Sequence, residues 1–206
     1  MVFVFTALLA VLEATAPRTA AEFLAQRIEE RQAAARDLVA RFVQRYRSGA
    51  LNRTLVERGE VKVKRPGRMR WEYQDPEKKT FVSDGKRFYF YVPADKQVVV
   101  RDQDPARSLP ALLLSGRSGI LSEFDPTLEP GRPGLSRLKL VPKNPDPEIA
   151  RVFLDVDGEH RIRRIEVLDV QGNESIFEFE DMRENVGLPD ATFRFDVPRG
   201  VEVITG

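Results

Sequence analysis

The chain has 206 residues, of which 42% are hydrophobic, enough for one well-packed domain without requiring a second. Lysine and arginine number 33 against 32 aspartate and glutamate residues, so the net charge of +1 argues against a bulk positive field for nucleic acid. The absence of cysteine excludes disulfide bonds, thiolate nucleophiles and thiolate metal sites.

An apolar run at residues 2–12 opens the chain. It is too short to span a bilayer but has the length of the hydrophobic region of a secretory signal. We predict that residues 1–21 are a signal peptide, cut near Ala20 or Ala21, or alternatively an apolar leader to the first helix. Residues 22–206 are predicted to form one domain, and export would place that domain in the periplasm.

A helical period follows the leader. Phe23, Leu24, Ile28 and Leu38 recur at helical spacing among charged residues, which predicts one amphipathic helix from residue 20 to about residue 40. Its apolar stripe must cover another apolar surface.

Alternation with a period of two replaces the helical period after residue 60. Val61 and Val63 alternate with charged residues, and so do Met69 and Trp71, which predicts half-buried strands. Segments rich in proline, glycine and aspartate predict tight turns between antiparallel neighbours at residues 65–67, 75–76, 83–86 and 93–95. The first half of the sheet is therefore predicted to be a meander.

The second half repeats this pattern. Asp157 and Gly158 form a predicted turn between apolar segments at residues 152–154 and 162–168, and a further strand covers residues 176–179. The sheet is predicted to continue after a break in the middle of the chain.

The break, at residues 108–124, predicts two short helices joined at Gly116 and Gly119, which interrupt helical backbone. Such an insertion could act as a lid over an apolar surface. The apolar residues of this predicted lid are Leu109, Leu112, Leu113, Leu114, Ile120, Leu121 and Phe124.

Three stretches carry a resemblance to the outer-membrane lipoprotein carrier (LolA) family: KRPGRMRWEY at 64–73, FVSDGK at 81–86 and YFY at 89–91. Residues 40–44, 138–142, 193–195 and 198–201 extend it over nearly the whole chain beyond the leader. The resemblance implies an α+β fold, an incomplete and strongly curved antiparallel β-barrel covered by an N-terminal helix and a mid-chain helical lid.

The resemblance also implies a function. Family members bind the acyl chains of lipoproteins, accept this cargo from an inner-membrane lipoprotein-releasing transporter and deliver it to an outer-membrane acceptor lipoprotein. A monomer with transient membrane-surface contact, no cofactor and no nucleic-acid partner is expected. The expected cavity lining is Phe42, Val61, Val63, Met69, Trp71, Phe81, Phe88 and Phe90.

Arg65 has the same strand parity as Val61 and Val63, so its guanidinium is predicted at the rim of the apolar face. By position it corresponds to the family's arginine that hydrogen-bonds the closed lid. The alternative is an ordinary surface arginine before a Pro-Gly turn.

Basic residues concentrate in the first hairpins, at Lys62, Lys64, Arg68, Arg70, Lys78, Lys79, Lys86 and Arg87. They could dock an acidic partner or anionic headgroups. Alternatively, they form the solvated back of the sheet together with interspersed carboxylates.

No catalytic or metal-binding residue is predicted. His160, the single histidine, follows a hairpin turn, which is a usual place for an exposed residue. Asp155, Asp157 and Glu159 alternate near that turn but lack the spacing of a calcium loop.

Two other functions use the same scaffold and stay open at this point: a periplasmic lipid-sensing adaptor and a carrier of glycolipids or fatty acids. Fold alone does not separate them from a lipoprotein carrier.

Overall fold

A computed structural model describes residues 18–51, 53–102, 113–114 and 119–205. The predicted leader lies outside the described residues up to residue 17, and Ala20 and Ala21 open the first helix. Leu109 and Leu112 of the predicted lid also lie outside them.

The described residues form helices and strands with the following bounds: α1 Ala20–Ala34, β1 Asp37–Arg47, β2 Thr54–Lys64, β3 Arg68–Asp75, β4 Lys79–Asp84, β5 Arg87–Val92, β6 Gln97–Asp102, α2 Ile120–Glu123, β7 Phe124–Glu129, β8 Ser136–Pro142, β9 Arg151–Val156, β10 Ile162–Leu168, β11 Glu174–Glu184, a 3-10 helix Asp190–Phe193, and β12 Glu202–Thr205.

Helix α1 begins with a capping box. The backbone N–H of Glu22 donates to Thr19 Oγ1 at 3.2 Å, and the Thr19 N–H donates to Glu22 Oε2 at 2.7 Å, so two N–H groups of the first turn are satisfied. The predicted continuation of this helix to about residue 40 is wrong. The chain enters β1 at Asp37, because hydrogen bonding to strands on both sides outweighs the local helical period.

The strands of the described residues belong to one sheet in the order β12-β6-β5-β4-β3-β2-β1-β11-β10-β9-β8-β7. All neighbours are antiparallel except β12, which runs parallel to β6. The two ends of the sheet, β12 and β7, do not pair with each other, so the barrel is open. The predicted fold class, an incomplete antiparallel barrel in an α+β protein, is confirmed.

The sheet curves so that distant strands share one core. Two strands lie between β3 and β11, which would separate them by about 14 Å in a flat sheet. The rings of Trp71 on β3 and Phe177 on β11 nevertheless have centroids only 5.6 Å apart. We call this concave side the inner face and the opposite side the outer face.

The C-terminal segment, residues 185–201, crosses the outer face of the first hairpins. Phe193 is buried there, and the Phe195 ring lies 5.4 Å from the ring of Tyr89 and 5.6 Å from that of Tyr91. The segment leads into β12 and so covers the edge of β6. The C-terminal part of the chain therefore covers the outer face of the first hairpins.

Candidate functional site

The register of the first strands brings the eight predicted lining residues to the inner face. Val61 pairs with Trp71, which pairs with Phe81, which pairs with Phe90, so one apolar row crosses four strands. Five of the eight are buried and three are half-buried; the buried ones are Phe42, Val61, Val63, Met69 and Trp71, and the half-buried ones are Phe81, Phe88 and Phe90.

Aromatic rings form the middle of this face. Phe42 meets Trp71 edge-on at 5.0 Å and Tyr73 at 4.8 Å, while Phe81 stacks on Phe90 at 4.4 Å between ring centroids. Such pairs contribute roughly 0.5–1.5 kcal/mol each beyond the area they bury. Gly59 makes room for them, because a Cβ there would lie 2.8 Å from Phe42 Cζ.

About half of the inner face comes from strands of the second half of the chain, whose residues were not predicted as lining. These residues are buried in the same cluster: Leu138, Leu140, Val152, Leu154, Ile165, Phe177 and Phe179. Leu138 and Leu140 flank the charged Lys139, and this period of two could have identified the inner face of β8.

Helix α1 and the described part of the lid cover the inner face. From α1, Ala25 and Ile28 are fully buried in the cluster. From the lid, Leu113 and Leu114, which have helical backbone, and Ile120 of α2 are also buried there. The apolar surface is thus covered by the chain's own side chains in this arrangement.

Two side chains hold successive carbonyls of the lid. Arg65 Nη2 donates to the Leu114 carbonyl at 2.9 Å and Arg65 Nη1 to the Ala35 carbonyl at 2.7 Å, so one guanidinium joins the lid to the end of α1. The Gln32 amide donates to the Leu113 carbonyl. Gln32 was not predicted, since a glutamine within an amphipathic helix carries no special sequence signal.

The environment of Arg65 is largely desolvated. Burial lowers the pKa of its guanidinium, and the charges of Glu184 and Asp37 oppose that change. Its Nε is buried without a hydrogen-bond partner among the described residues. The closed arrangement therefore leaves part of this cation's hydrogen-bonding capacity unused.

The second half of the lid is tied to α1 and to the chain after β8. Glu29 Oε1 accepts from the Leu121 N–H at 3.1 Å, and Lys143 Nζ donates to the Leu121 carbonyl at 2.6 Å. The prediction that Phe124 belongs to the second lid helix is wrong. The helix ends at Glu123, and Phe124 opens β7, because its backbone pairs with Pro142.

Most basic residues of the first hairpins have partners within the chain. On the outer face, Lys64 and Arg68 both contact Asp190, at 2.6 and 2.8 Å. Lys62 pairs with Glu60 at 2.5 Å, and Arg70 with Glu72 at 2.8 Å. This pairing supports the structural alternative for the basic cluster, while docking by charge stays a hypothesis.

The residues near His160 form a turn. The carboxylate of Asp157 accepts from the backbone N–H groups of Glu159 and Arg161, both at 3.0 Å, and the His160 N–H donates to the Asp157 carbonyl at 2.9 Å. Within the described ranges, no group of three or more histidine, cysteine or acidic residues is arranged to hold a metal ion. No helix in the described part of the chain is long and apolar enough to cross a membrane.

Comparison with solved structures agrees with the topology. An uncharacterized conserved protein from Thermus thermophilus aligns with a TM-score of 0.59 at 17% identity, over 91% of this chain and 100% of that one. MucB aligns with a TM-score of 0.52 at 18% identity, over 89% of this chain and 65% of MucB. At such identities the likeness concerns the fold alone.

Several proteins share a higher sequence identity with this chain than those structures do. The outer-membrane lipoprotein carrier protein of Nitrosospira multiformis is 37% identical over 149 residues, 71% of this chain and 72% of that protein. The protein of the same name from Azotobacter vinelandii is 32% identical over 197 residues, 95% and 94% of the two chains. A profile of the family described as outer membrane lipoprotein carrier protein LolA matches residues 33–196. The chain therefore belongs to the LolA family of outer-membrane lipoprotein carrier proteins.

Proposed function

We propose that this protein is a periplasmic carrier that binds the acyl chains of lipoproteins on its inner face and ferries them from the inner to the outer membrane. The observation that carries the proposal is a large apolar sheet face whose lid is fastened by a few side-chain to backbone hydrogen bonds. Such a cover protects the face from water and leaves it capable of opening.

The energetics of a lipid anchor require a carrier of this kind. Three long acyl chains expose, at roughly 0.8 kcal/mol per methylene, about 30 kcal/mol of apolar surface to water. Non-covalent affinities saturate near about 20 kcal/mol, so the carrier recovers only part of that amount. Partial recovery suits a protein that must release its cargo, and the reaction is binding and transfer without covalent chemistry.

In this proposal, Arg65 is the latch of the lid. Its two hydrogen bonds to the carbonyls of Ala35 and Leu114 hold the closed arrangement, in which Leu113 and Leu114 occupy the surface that acyl chains would take. A hydrogen bond from a charged donor contributes about 1.5–3 kcal/mol, an amount that cargo binding can offset. Cargo then takes the place of the lid side chains.

The route implies partners at both ends. We propose an inner-membrane lipoprotein-releasing transporter as the donor and an outer-membrane lipoprotein as the acceptor, with transient membrane-surface contact and a monomeric carrier between them. Acylated lipoproteins are the cargo, in keeping with the name that the sequence relatives carry.

Native mass spectrometry of the protein isolated from its own cell envelope tests the proposal. We expect a fraction of the protein to carry an acylated lipoprotein. A co-purifying glycolipid or fatty acid would change the cargo class. Protein found only with a bound signalling protein, and never with lipid, would contradict the carrier role.

A further inference from the structure

On β1, β2 and β3, the inner face changes from apolar to polar along the strand. Directly paired residues on β1 to β4 form rows across the face. Starting from the end next to Arg65, the rows are Leu38/Val63/Met69/Ser83, Ala40/Val61/Trp71/Phe81, Phe42/Gly59/Tyr73/Lys79 and Gln44/Glu57.

The polar residues at the far end form one connected group that crosses five neighbouring strands. We call it the polar belt; its members are Gln44, Glu57, Tyr73, Lys79 and Ser175. Lys79 Nζ contacts Glu57 Oε1 at 2.6 Å and lies 4.4 Å from the centroid of the Tyr73 ring. The Tyr73 hydroxyl donates to Gln44 Oε1 at 2.7 Å, and Gln44 Nε2 donates to Ser175 Oγ at 3.2 Å.

The belt is charged although Glu57 and Tyr73 are buried and its other members are half-buried. Glu57 is only 5% exposed, and the side chain of Lys79 is 20% exposed. Burial raises the pKa of Tyr73, and the nearby charge of Glu57 adds to the rise, so the phenol keeps its proton as a hydrogen-bond donor. Buried charges are retained only where they are paired, and here the pair is satisfied within the belt.

The belt lies opposite the lid attachment. Arg65, which holds the Leu114 carbonyl, follows the last residue of β2, whereas Glu57 lies six residues before Val63 on the same strand. Six residues of extended strand span about 20 Å. An acyl chain that enters where the lid is attached would cross the rows of Met69 and Trp71 and then meet the Phe42 ring and the belt.

We propose that the polar belt ends the acyl-binding surface and sets the longest acyl chain that the protein accepts. This inference rests on the proposed carrier function. A methyl terminus that reached the belt would have to remove Lys79 or Glu57 from its partner and leave a buried charge without compensation. The preceding rows offer apolar and aromatic contact apart from Ser83, whose hydroxyl donates to the Gly67 carbonyl at 2.9 Å, so binding gains with chain length until the belt is reached.

The contacts within the belt favour a boundary over a site for polar headgroups. Glu57 and Lys79 are paired with each other, and Tyr73 and Gln44 are paired in turn. A headgroup would have to break these pairs before it could form its own. The belt therefore excludes alkyl chains better than it recruits polar ligands.

A series of triacylated lipopeptides whose acyl chains lengthen stepwise from lauroyl to arachidoyl tests the proposal, with dissociation constants measured by Trp71 fluorescence. The test variant is Glu57→Leu/Lys79→Met, which replaces the pair by apolar side chains of similar volume, a change that buried pairs usually tolerate. The matched control, Glu60→Leu/Lys62→Met, removes an ion pair from the outer face of the same strand.

For the wild type and the control, we expect affinity to rise with chain length, reach a maximum within the series and then fall. In the test variant, affinity should keep rising past that maximum, by about fourfold for each added methylene. An unmoved maximum, or a wild type without one, would overturn the belt's role. A uniform loss of affinity at all lengths would identify a headgroup site instead, and failure of every protein to bind any lipopeptide would contradict the carrier function itself.

Discussion

The lid covers the inner face of the sheet, and the C-terminal segment, residues 185–201, covers part of the outer face. We call this segment the outer cover, and it is attached differently from the lid. On the inner face, the lid is held through single hydrogen bonds to its backbone, such as those from Arg65 and Gln32. On the outer face, the Asp37 carboxylate accepts three successive backbone N–H groups of the C-terminal segment at 2.7–3.1 Å. Ion pairs of Asp190 and the buried ring of Phe193 add to that attachment.

The difference indicates which cover is built to move. A carboxylate that satisfies several N–H groups, a buried aromatic ring and an added strand all have to be lost together if the outer cover detaches. The lid can leave when its few hydrogen bonds are exchanged for water and acyl chains take the place of its buried side chains Leu113, Leu114 and Ile120. In the proposed carrier function, the outer cover therefore belongs to the folded framework, and the lid is the part that we propose to move.

The largest expected effect is on the outer cover. Asp37→Ala would leave the N–H groups of Val186, Gly187 and Leu188 without their buried acceptor. We expect the free energy of unfolding, measured with urea, to fall by about 3–5 kcal/mol. A loss below about 1 kcal/mol would show that the outer cover is no more firmly attached than the lid.

A smaller effect on stability but a larger one on function is expected for the latch. Arg65→Leu should keep the fold and lower the ratio of closed to open lid by about tenfold to a hundredfold, because two charge-assisted hydrogen bonds are lost. Cargo transfer to the acceptor should fall accordingly, and Trp71 should become more accessible to a soluble fluorescence quencher.

The matched control for the latch is Arg58→Leu. Arg58 is an exposed arginine of β2, the strand that Arg65 follows, and it contacts Asp75 at 3.1 Å. Surface ion pairs of this kind contribute little, so transfer and Trp71 accessibility should stay at wild-type values. Wild-type transfer by the Arg65→Leu variant would count against the latch.

Removal of a single lid contact should have a modest effect. Glu29→Ala removes the acceptor of the Leu121 N–H at the first turn of α2. We expect amide hydrogen exchange in α2 to accelerate by about fivefold, corresponding to about 1 kcal/mol, with β1 and β2 unchanged. Equal acceleration throughout the sheet would mean that this part of the lid unfolds only together with the framework.

The smallest effect is expected from acid. A hydrogen bond from Lys64 lowers the pKa of Asp190, and the charge of Arg68 lowers it further. Because the folded-state pKa lies below the ordinary aspartate value of 3.8, this attachment is fully present above pH 3.8 and is lost as the pH falls through the folded value. Amide exchange at residues 190–194 should therefore rise only below about pH 4, and Asp190→Asn should remove this pH dependence. A rise that already begins near about pH 6 would contradict the assignment.

The sequence predicted those features that depend on local alternation and turn chemistry. The meander of the first hairpins and its inner-face parity followed from residues such as Val61, Val63, Met69 and Trp71. The end of α1 did not, because Leu38 fits a helical stripe and an alternating strand equally well. Only pairing with β2 and β11, on both sides, decides in favour of the strand.

The attachments of the lid were predictable in part. Arg65 could be placed at the rim from its parity with Val63, whereas its second acceptor, the Ala35 carbonyl, depends on where α1 ends. The contact between Gln32 and Leu113 and the polar belt join residues far apart in the chain. A polar residue such as Glu57 looks like a solvated strand position until the curvature of the sheet buries it.

The central claim is that acyl chains replace the lid side chains on the inner face, and Trp71 reports on this directly. It is the single tryptophan of the chain, is 5% exposed and lies in the second of the four rows of that face. A triacylated lipopeptide with brominated acyl chains should quench Trp71 fluorescence, while the same lipopeptide brominated only in its peptide part should not. Binding without quenching by the brominated chains would place the lipid elsewhere and contradict the account.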